Sequence, residues 1–339
     1  MSDQAAKKAR TTPILTTHSG SFHCDEALAI FLLRQLPQYA GAEVVRSREP
    51  EKWDEATVVV DVGGTYEPEK HRYDHHQRGF SEVFGHGFVT KLSSAGLVYK
   101  HFGEEILSHV LQQPVSSQTV QTLYLKMYQD FVEAVDANDN GIAQYDTTSP
   151  ARYRSRTDLA ARVGALNPRW NEPFNDEVLY ERFLKASDLA GGEFLSRLDY
   201  LAKAWLPARE IVQKAVEARK EVHPSGKIVI FEEFAPWKEH LHLLEQDLSL
   251  PADELPIYVL YPESAGVADS KWRVQAVAVS PESFDSRKAL PEAWRGIRDD
   301  ALSQLTGIDG CIFVHAAGFI GGNKTKEGAL EMAVKGLEL

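Results

Sequence analysis

The sequence is poor in cysteine and has neither a long apolar segment nor a secretory leader. Cys24 and Cys311 are its two cysteines and lie far apart, so neither a disulfide framework nor a cysteine-rich zinc site is available. No apolar run reaches the roughly 18 residues that a transmembrane helix needs. Because the N-terminus also lacks an apolar signal region, we expect a protein that is not secreted and resides in a reducing compartment.

The sequence also has fewer positively charged than negatively charged residues. The chain has 37 Lys and Arg residues against 49 Asp and Glu residues, which gives a formal net charge of -12. Proteins that grip long duplex nucleic acid usually carry a basic face, because their affinity comes largely from neutralising phosphates. The acidic balance instead suits a local site for a short strand, a strand end or a small phosphate ester, in which bound metal ions supply the positive charge.

The chain does have the length and the apolar material for a substantial core. Its 339 residues, 43% of them hydrophobic, suit one large domain or two. Residues 1–12 are predicted to form a flexible tail, in which Lys7, Lys8 and Arg10 make only a weak basic cluster.

The N-terminal half alternates strand and helix patterns. PILTTH predicts a short strand, and DEALAIFLLRQL, with apolar residues at helical spacing, predicts the helix after it. ATVVVDVGG is a continuous β-branched run stopped by Gly63 and Gly64, which is typical of a strand buried on both faces of a parallel sheet. Two shorter strands, AEVVRS and HRYDHHQ, and a helix begun by Ser93 or Ser94 complete a pattern that predicts an open α/β sheet.

The pattern changes twice further along the chain. From about 122 to 222 it is mostly helical, and HPSGK then breaks it, so we place a domain boundary near residue 223. Later segments predict strands at GKIVIFEEF, LPIYVLYP, KWRVQAVAVS and CIFVH, and helices at EAWRGIRDDALSQL and KEGALEMAVKGL. The sequence therefore predicts an α/β fold, with a parallel-sheet domain and a helical connector over 13–222 and a smaller α+β domain over 223–339.

Four clusters of metal-ligating side chains lie in the N-terminal half. They are His18 with His23 and Asp25, then Asp61, then Asp74 with His75 and His76, and finally Asp136. The first three clusters each follow a predicted strand, at the edge where open α/β sheets place their ligands. Taken singly, each cluster has an ordinary structural explanation as a helix cap, a polar turn or a surface acid.

Asp61 is the hardest of these residues to explain structurally. A carboxylate at the end of a buried apolar strand loses its hydration unless a cation or several donors meet it. Four such clusters in one part of the chain would be a rare accident, so together they predict a metal site.

The order of four motifs resembles that of the Asp-His-His (DHH) phosphoesterase superfamily: HSGSFHCDE, VVVDVGG, YDHHQ and FVEAVDAND. More narrowly, the chain resembles the melanocyte-proliferating-gene family in THSGSFHCDEALA, RYDHHQRGF, SSAGLVY and GFIGGNKTKEGAL. The resemblance covers nearly the whole chain. It implies a 3′-5′ RNA exonuclease with a DHH-type N-terminal domain and a C-terminal substrate-binding domain.

The resemblance also implies a set of metal ligands, namely His18, His23, Asp25, Asp61, His75 and Asp136. Asp61 would bridge two ions, with the histidines of the first motif on one of them. His76 would act on the substrate phosphate as a catalytic residue, and Asp74 would orient the histidine pair from outside the ligand shell.

The donor types indicate which metal is expected. Three imidazoles and three carboxylates suit two Mn²⁺ ions, with Co²⁺, Zn²⁺ or Mg²⁺ as possible replacements. The superfamily often has an aspartate where this sequence has His23, which weakens the analogy with its magnesium-using members. Two such ions would generate a hydroxide near neutral pH, and the hydroxide would attack phosphorus in line.

Substrate contacts are expected mainly in the C-terminal domain. Gly321 and Gly322 precede a predicted helix, and by themselves they are better explained by a tight strand-to-helix turn than by phosphate binding. The resemblance reverses this preference and favours a phosphate-binding role for the glycine motif. The substrate-binding residues predicted on this basis are Ser94, Arg273, His315, Gly321, Gly322, Asn323 and Lys324.

Three functions are compatible with these features. The leading one is a 3′-5′ exoribonuclease acting on single-stranded RNA or on short oligonucleotide 3′ ends. The acidic charge also allows a small-molecule phosphoesterase, such as a pyrophosphatase or a dinucleotide phosphodiesterase. A non-catalytic regulatory protein with a structural metal site is the third alternative.

The family resemblance implies that the protein resides in the nucleus or the mitochondrion, although the sequence also allows the cytoplasm.

Overall fold

The computed structural model describes residues 12–339 and confirms the predicted α/β class. The tail predicted over 1–12 lies outside the described residues except for Thr12. The chain forms two compact units, which meet in sequence between Leu201 and Ala202. Within the described part of the chain, no helix combines the length and the apolar character needed to cross a membrane.

The first unit contains a five-stranded sheet and a separate two-stranded ribbon. The strands are β1 (Ile14–Thr17), β2 (Glu43–Arg46), β3 (Val58–Val60), β4 (Tyr66–Glu67), β5 (Arg72–Tyr73), β6 (Val83–Gly85) and β7 (Phe88–Lys91). The sheet order is β2-β1-β3-β5-β4, and β6 pairs with β7. Strands β2, β1, β3 and β5 are parallel, whereas β4 is an antiparallel edge strand.

Several α-helices belong to the same unit. They are α1 (Cys24–Arg34), α2 (Pro50–Glu55), α3 (Ser94–Leu111), α4 (Gln118–Met127), α5 (Glu133–Asp139), α6 (Leu159–Gly164) and α7 (Asp176–Tyr200). A π-helical segment, Tyr128–Val132, joins α4 to α5, and a second one, Leu201–Trp205, follows α7. Helix α1 packs against both α3 and α7, and most of its residues are buried because it is apolar on nearly every side.

Strand β3 lies between β1 and β5, and all three of its valines are buried. This burial confirms the prediction from its continuous β-branched run. Because β1, β3 and β5 are parallel neighbours, the residues that follow them, His18, Asp61 and Asp74, lie at one edge of the sheet. The topology alone thus brings together three of the predicted clusters.

The second unit has its own five-stranded sheet, in the order β11-β12-β10-β9-β8. Its strands are β8 (Ile228–Ile230), β9 (Tyr258–Pro262), β10 (Trp272–Ala276), β11 (Cys311–Val314) and β12 (Ile320–Asn323). Its helices are α8 (Leu206–Glu217), α9 (Arg219–Val222), α10 (Trp237–Asp247), α11 (Asp299–Thr306) and α12 (Lys326–Glu338). The β8–β9 pair is parallel and the other pairs are antiparallel, as expected for an α+β unit.

The division between the units comes earlier in the chain than residue 223, where the sequence pattern places it. The reason is the packing of α8, whose Val212 and Val216 are fully buried in a cluster with Phe231 and Trp237. The last part of the helical stretch, from Ala202 onward, therefore belongs to the second unit.

The glycine motif near the C-terminus differs most from its predicted structure. Gly321 and Gly322 lie within β12, between β10 and β11, and neither has a positive φ angle. A Cβ atom would lie 3.0 Å from the Phe313 carbonyl oxygen at Gly321 and 3.1 Å from the Trp272 carbonyl oxygen at Gly322. These glycines allow close packing inside the sheet, and they do not form a turn that cradles phosphate.

Candidate metal centre

The first contribution to the site comes from the segment between β1 and α1. His18 directly follows β1, and its Nε2 lies 3.1 Å from Glu26 Oε1 and 3.4 Å from Asp61 Oδ2. His23 precedes α1, where its backbone N–H donates to the Glu26 carboxylate at 3.0 Å. This bond helps to begin α1 and fixes Glu26 beside His18. Glu26 is fully buried and was not predicted as a site residue, although it follows Asp25 at the start of the helix.

Asp61 lies at the centre of the cluster. Its Oδ1 is 3.3 Å from His75 Nε2 and 3.4 Å from His76 Nδ1, while its Oδ2 faces His18. Its backbone φ is +58°, an uncommon conformation for a residue other than glycine and a typical one at functional sites. The strand end therefore aims one buried carboxylate at three imidazoles.

The Asp74-His75-His76 tripeptide follows β5. Asp74 Oδ1 accepts hydrogen bonds from the backbone N–H and the Nδ1 of His76, at 3.0 and 2.8 Å. Its Oδ2 accepts from the Gly64 backbone N–H at 2.6 Å. Asp74 thus orients His76, whose side chain is 62% exposed, whereas His75 is buried.

Asp25 and Asp139 supply the acidic side of the cluster. Asp25 is fully buried, and its Oδ2 accepts from the hydroxyl and the backbone N–H of Ser94 at 2.7 and 3.3 Å. Asp139 Oδ2 lies 3.1 Å from His75 Nε2. Ser94 is itself buried, so in this structure it holds Asp25 and does not face a pocket.

Asp136, the predicted sixth ligand, is turned away from the cluster. Its Oδ1 accepts from Ser93 Oγ at 2.7 Å and from the Ser93 and Gly96 backbone N–H groups at 2.9 and 3.0 Å. Its Oδ2 accepts from Tyr128 Oη at 3.0 Å. These four donors occupy the carboxylate, and Asp139, three residues further along α5, lies beside His75 in its place.

The cluster offers three overlapping groups of ligand atoms, each within 4.8 Å of one another. Among the described residues these groups are His18 with His23, Glu26 and Asp61; Asp61 with His75 and His76; and His23 with Asp25 and Asp139. Asp61 belongs to two groups and so does His23. This sharing is what a pair of neighbouring ions would require.

Unsatisfied polar atoms supply a test of whether a cation fits. Asp25 Oδ1, Asp61 Oδ1 and His75 Nε2 are buried and have no hydrogen-bond partner of good geometry. Unpaired buried groups of this kind are costly, and a cation would satisfy all three. A mixed imidazole and carboxylate set is a common donor set for divalent transition metals.

The electrostatics of the cluster are those of tightly coupled acids and bases. Burial alone would lower the pKa of His18 and His75, but the neighbouring carboxylates outweigh it and raise these values to about 10 and about 9. Burial would raise the pKa of Asp61, yet contacts with the same two histidines lower it to about 2. Burial, together with the charge of Asp61, raises the pKa of Asp25 well above its ordinary value. In the metal-free cluster, protons on the histidines and on Asp25 offset the negative charge of the carboxylates. A bound cation would take the place of these protons.

Two pockets border the cluster, and His23 and His76 line both. One, of about 590 Å³, also contains His75, Asp139 and the side chains of Gln77, Lys91 and Asn138. The other, of about 470 Å³, contains His18, Asp61, Arg48 and Trp53. Both volumes lie within the range of roughly 300–1,000 Å³ that is typical of small-ligand sites.

The remaining predicted substrate residues belong to the second unit. Asn323 is fully buried: its amide donates to the Asp309 carbonyl oxygen at 2.9 Å, and its Oδ1 accepts from the Thr325 backbone N–H at 3.0 Å. It therefore joins β12 to α12 and is not placed to contact a substrate.

Arg273, His315 and Lys324 differ in how accessible they are. Arg273 pairs with Glu263 and lies over the Phe313 ring, with its guanidinium carbon 4.9 Å from the ring centroid. His315 is exposed, and its Nδ1 accepts from the Ala317 backbone N–H at 3.1 Å. Lys324 is exposed as well and lines a pocket of about 750 Å³ in the second unit.

The fold and the cluster define an α/β protein with a candidate binding centre for divalent cations at the edge of a parallel sheet. Its sequence matches the family described as an uncharacterised protein family, UPF0160, over residues 14–337, and the chain belongs to that family.

Named relatives match over most of their length. The chain is 52% identical to the human protein called MYG1 exonuclease, over 97% of this chain and 87% of the relative. It is 53% identical to the MYG1 exonuclease of Bos taurus, over 95% of this chain and 84% of the relative. It is 49% identical to the MYG1 protein of Dictyostelium discoideum, over 95% of this chain and 96% of the relative.

Proposed function

We propose that this chain is a metal-dependent 3′-5′ exoribonuclease that hydrolyses phosphodiester bonds of single-stranded RNA. The observation that carries the proposal is Asp61, a buried carboxylate shared by two groups of potential metal ligands. The exonuclease names of the human and bovine relatives support the reaction class. The preference for RNA and for the 3′ end rests on the family resemblance of the sequence motifs.

We propose two sets of residues for two ions by joining the overlapping groups through His75, which contacts both Asp61 and Asp139. His18, His23 and Glu26 would serve one ion, Asp25, His75 and Asp139 the other, and Asp61 both. We propose Mn²⁺ as the native metal because of the mixed nitrogen and oxygen donors, with Co²⁺ or Mg²⁺ as weaker replacements. When bound, such ions lower the pKa of a coordinated water and offset the negative charge of a phosphate.

His76 is the side chain proposed to meet the substrate. Its Nδ1 is held by Asp74, so the ring is fixed while the rest of the side chain stays exposed at the junction of the two pockets. An imidazole in this position can donate a proton or a hydrogen bond to a phosphate oxygen. Asp74 acts through His76 and is a positioning residue.

Lys91 adds a positive charge to the pocket on the Asp139 side. The Asn140 amide donates to the Lys91 backbone carbonyl at 3.0 Å, so the residue next to Asp139 also holds the end of β7. We propose that this pocket accepts part of the strand end. For the second unit we propose that Lys324 contributes to substrate binding, as the sequence motif indicates.

The test compares three substrates with Mn²⁺ or Mg²⁺: a 5′-labelled short RNA, pyrophosphate and a cyclic dinucleotide. A ladder that shortens from the 3′ end is the expected result. Phosphate release from pyrophosphate alone would replace the proposal with a small-molecule phosphoesterase, and a lack of activity on all three would leave a non-catalytic protein.

Asp61→Ala should abolish turnover in the same assay while the protein stays folded. We expect a loss of at least about a hundredfold, because the shared ligand of both ions is removed. Asp54→Asn is the matched control, because it removes an exposed carboxylate of α2 outside the cluster. Full activity in Asp61→Ala would refute the metal assignment.

A further inference from the structure

The pocket of about 470 Å³ contains features that metal binding does not use. Four of its residues belong to the candidate metal centre: His18, His23, Asp61 and His76. The pocket is also lined by Arg48, Trp53 and the turn at Gly63 and Gly64. A molecule bound at the metal centre would therefore extend toward a cation, an aromatic ring and exposed backbone.

Arg48 is a positive charge without an anionic partner among the described residues. Its Nε donates to the Ser19 carbonyl oxygen at 3.2 Å, and its Nη2 lies 3.2 Å from His18 Nδ1. Neither contact is with a carboxylate, and Arg48 makes no ion pair within residues 12–339. Lys52 and Lys70 of the same unit, in contrast, pair with Glu55 and Glu67. A fixed, unpaired guanidinium in an acidic protein is well suited to bind an external anion.

Trp53 and the glycine turn give the pocket a rigid apolar wall. The indole Nε1 donates to the Ser47 carbonyl oxygen at 3.1 Å, which fixes the ring. The ring packs against Gly63, whose φ of +95° favours glycine, and the Gly64 backbone N–H is held by Asp74. A Cβ atom at Gly64 would meet nothing within 4 Å, so this backbone is open to a ligand.

We infer that this pocket is a nucleotide subsite, in which Arg48 binds the phosphate next to the scissile one and Trp53 flanks the sugar or base. The inference rests on the proposed function for the position of the scissile phosphate. A phosphate is the appropriate anion because a guanidinium binds its oxygens in a paired geometry. An aromatic wall beside a cation is a frequent arrangement for unpaired nucleotides.

The subsite is tested with two dinucleotides, ApA and pApA, which share one scissile bond and differ only in the 5′-terminal phosphate. With Mn²⁺, the wild-type protein should cleave pApA with a kcat/KM at least about tenfold higher than that of ApA. Arg48→Gln should remove this preference, because it should lower the kcat/KM of pApA far more than that of ApA. Arg48→Lys should restore part of it, because it keeps the charge and loses the paired geometry.

Lys52→Gln is the control, because it removes one exposed positive charge of α2 that does not line the pocket. It should keep the preference for pApA. An equal loss on both dinucleotides in Arg48→Gln would place Arg48 on the scissile phosphate and overturn the inference. A wild-type protein without any preference would overturn it as well.

A binding measurement separates the subsite from the proposed activity. If the wild-type protein cleaves neither dinucleotide, the proposed function fails. The nucleotide subsite can still be tested, because binding of pApA does not depend on its cleavage. Calorimetric titration of pApA with Ca²⁺ in place of Mn²⁺ should then show binding that is weaker by about tenfold in Arg48→Gln and unchanged in Lys52→Gln. Equal affinities in all three proteins would exclude the subsite.

Discussion

At the scale of single residues, Asp136 and Asp139 show how two aspartates of one helix acquire different roles. Asp136 faces the start of α3, and four donors satisfy its oxygens: three from Ser93 and Gly96 at that helix start, and one from Tyr128 of the π-helical segment. Burial nonetheless raises its pKa to about 7. Asp139 lies at the end of α5, beside His75 and in a group with His23 and Asp25. We therefore assign Asp136 to the support of the site and Asp139 to the site itself.

Substitution of each aspartate by asparagine should separate these roles. Asp139→Asn is expected to weaken Mn²⁺ binding by about 10- to 100-fold, because a charged ligand becomes a neutral one. Asp136→Asn should leave Mn²⁺ affinity within a few-fold, since the carbonyl oxygen of the new amide side chain can still accept from Ser93 and Gly96. Calorimetric Mn²⁺ titration of the three proteins checks this, and the reverse ranking would restore Asp136 as the ligand.

At the scale of elements, the contact of α1 with α7 positions the first motif. Helix α1 begins next to His23 and carries Asp25 and Glu26 in its first turn, so any shift of this helix moves three site residues. Gly191 of α7 allows the close approach, since a Cβ atom there would overlap the Phe31 ring of α1. Gly192, the next residue, has nothing within 4 Å of its Cβ position.

These neighbouring glycines form a matched pair of tests. Gly191→Ala should destabilise the protein by about 1–3 kcal/mol, because the new methyl group forces α1 away from α7. Gly192→Ala should be neutral or stabilise it by up to about 1 kcal/mol, because alanine favours the helix at an exposed position. Urea unfolding provides both values, and similar stabilities for the two variants would contradict the packing argument.

At the scale of the whole molecule, folding and metal binding are expected to be linked. The cluster contains buried carboxylates and imidazoles whose charges are balanced by protons. An ion that binds only the folded state stabilises it by an amount that grows with metal concentration, about 2.7 kcal/mol at a hundred times the dissociation constant. The cluster therefore contributes to stability only as far as cations or protons compensate its charges.

Addition of Mn²⁺ should raise the Tm of the full chain, and EDTA should reverse the change. The rise should be larger at pH 8 than at pH 6. The pKa values of His18 and His75 are raised to about 10 and about 9, so both carry protons that the metal must displace. Higher pH lowers that competition and increases metal affinity. Thermal scans at both pH values test this, and an equal or smaller rise at pH 8 would contradict it.

The α/β class, the parallel strands and most of the candidate ligands could be predicted from the amino-acid sequence alone. Buried parallel strands consist of continuous β-branched residues, and metal ligands belong to a few residue types that follow such strands. For this reason β3, Asp61 and the Asp74-His75-His76 tripeptide were recognisable before any contact was known.

Only the tertiary structure decides which side of each helix or strand faces the site. The choice between Asp136 and Asp139 depends on how α5 is rotated against α3, and the burial of Glu26 depends on its contact with His18. Gly322 precedes a helix in sequence, yet its place inside β12 follows from pairing with two distant strands. Side chains a few residues apart have the same local sequence signal, and long-range packing alone distinguishes them.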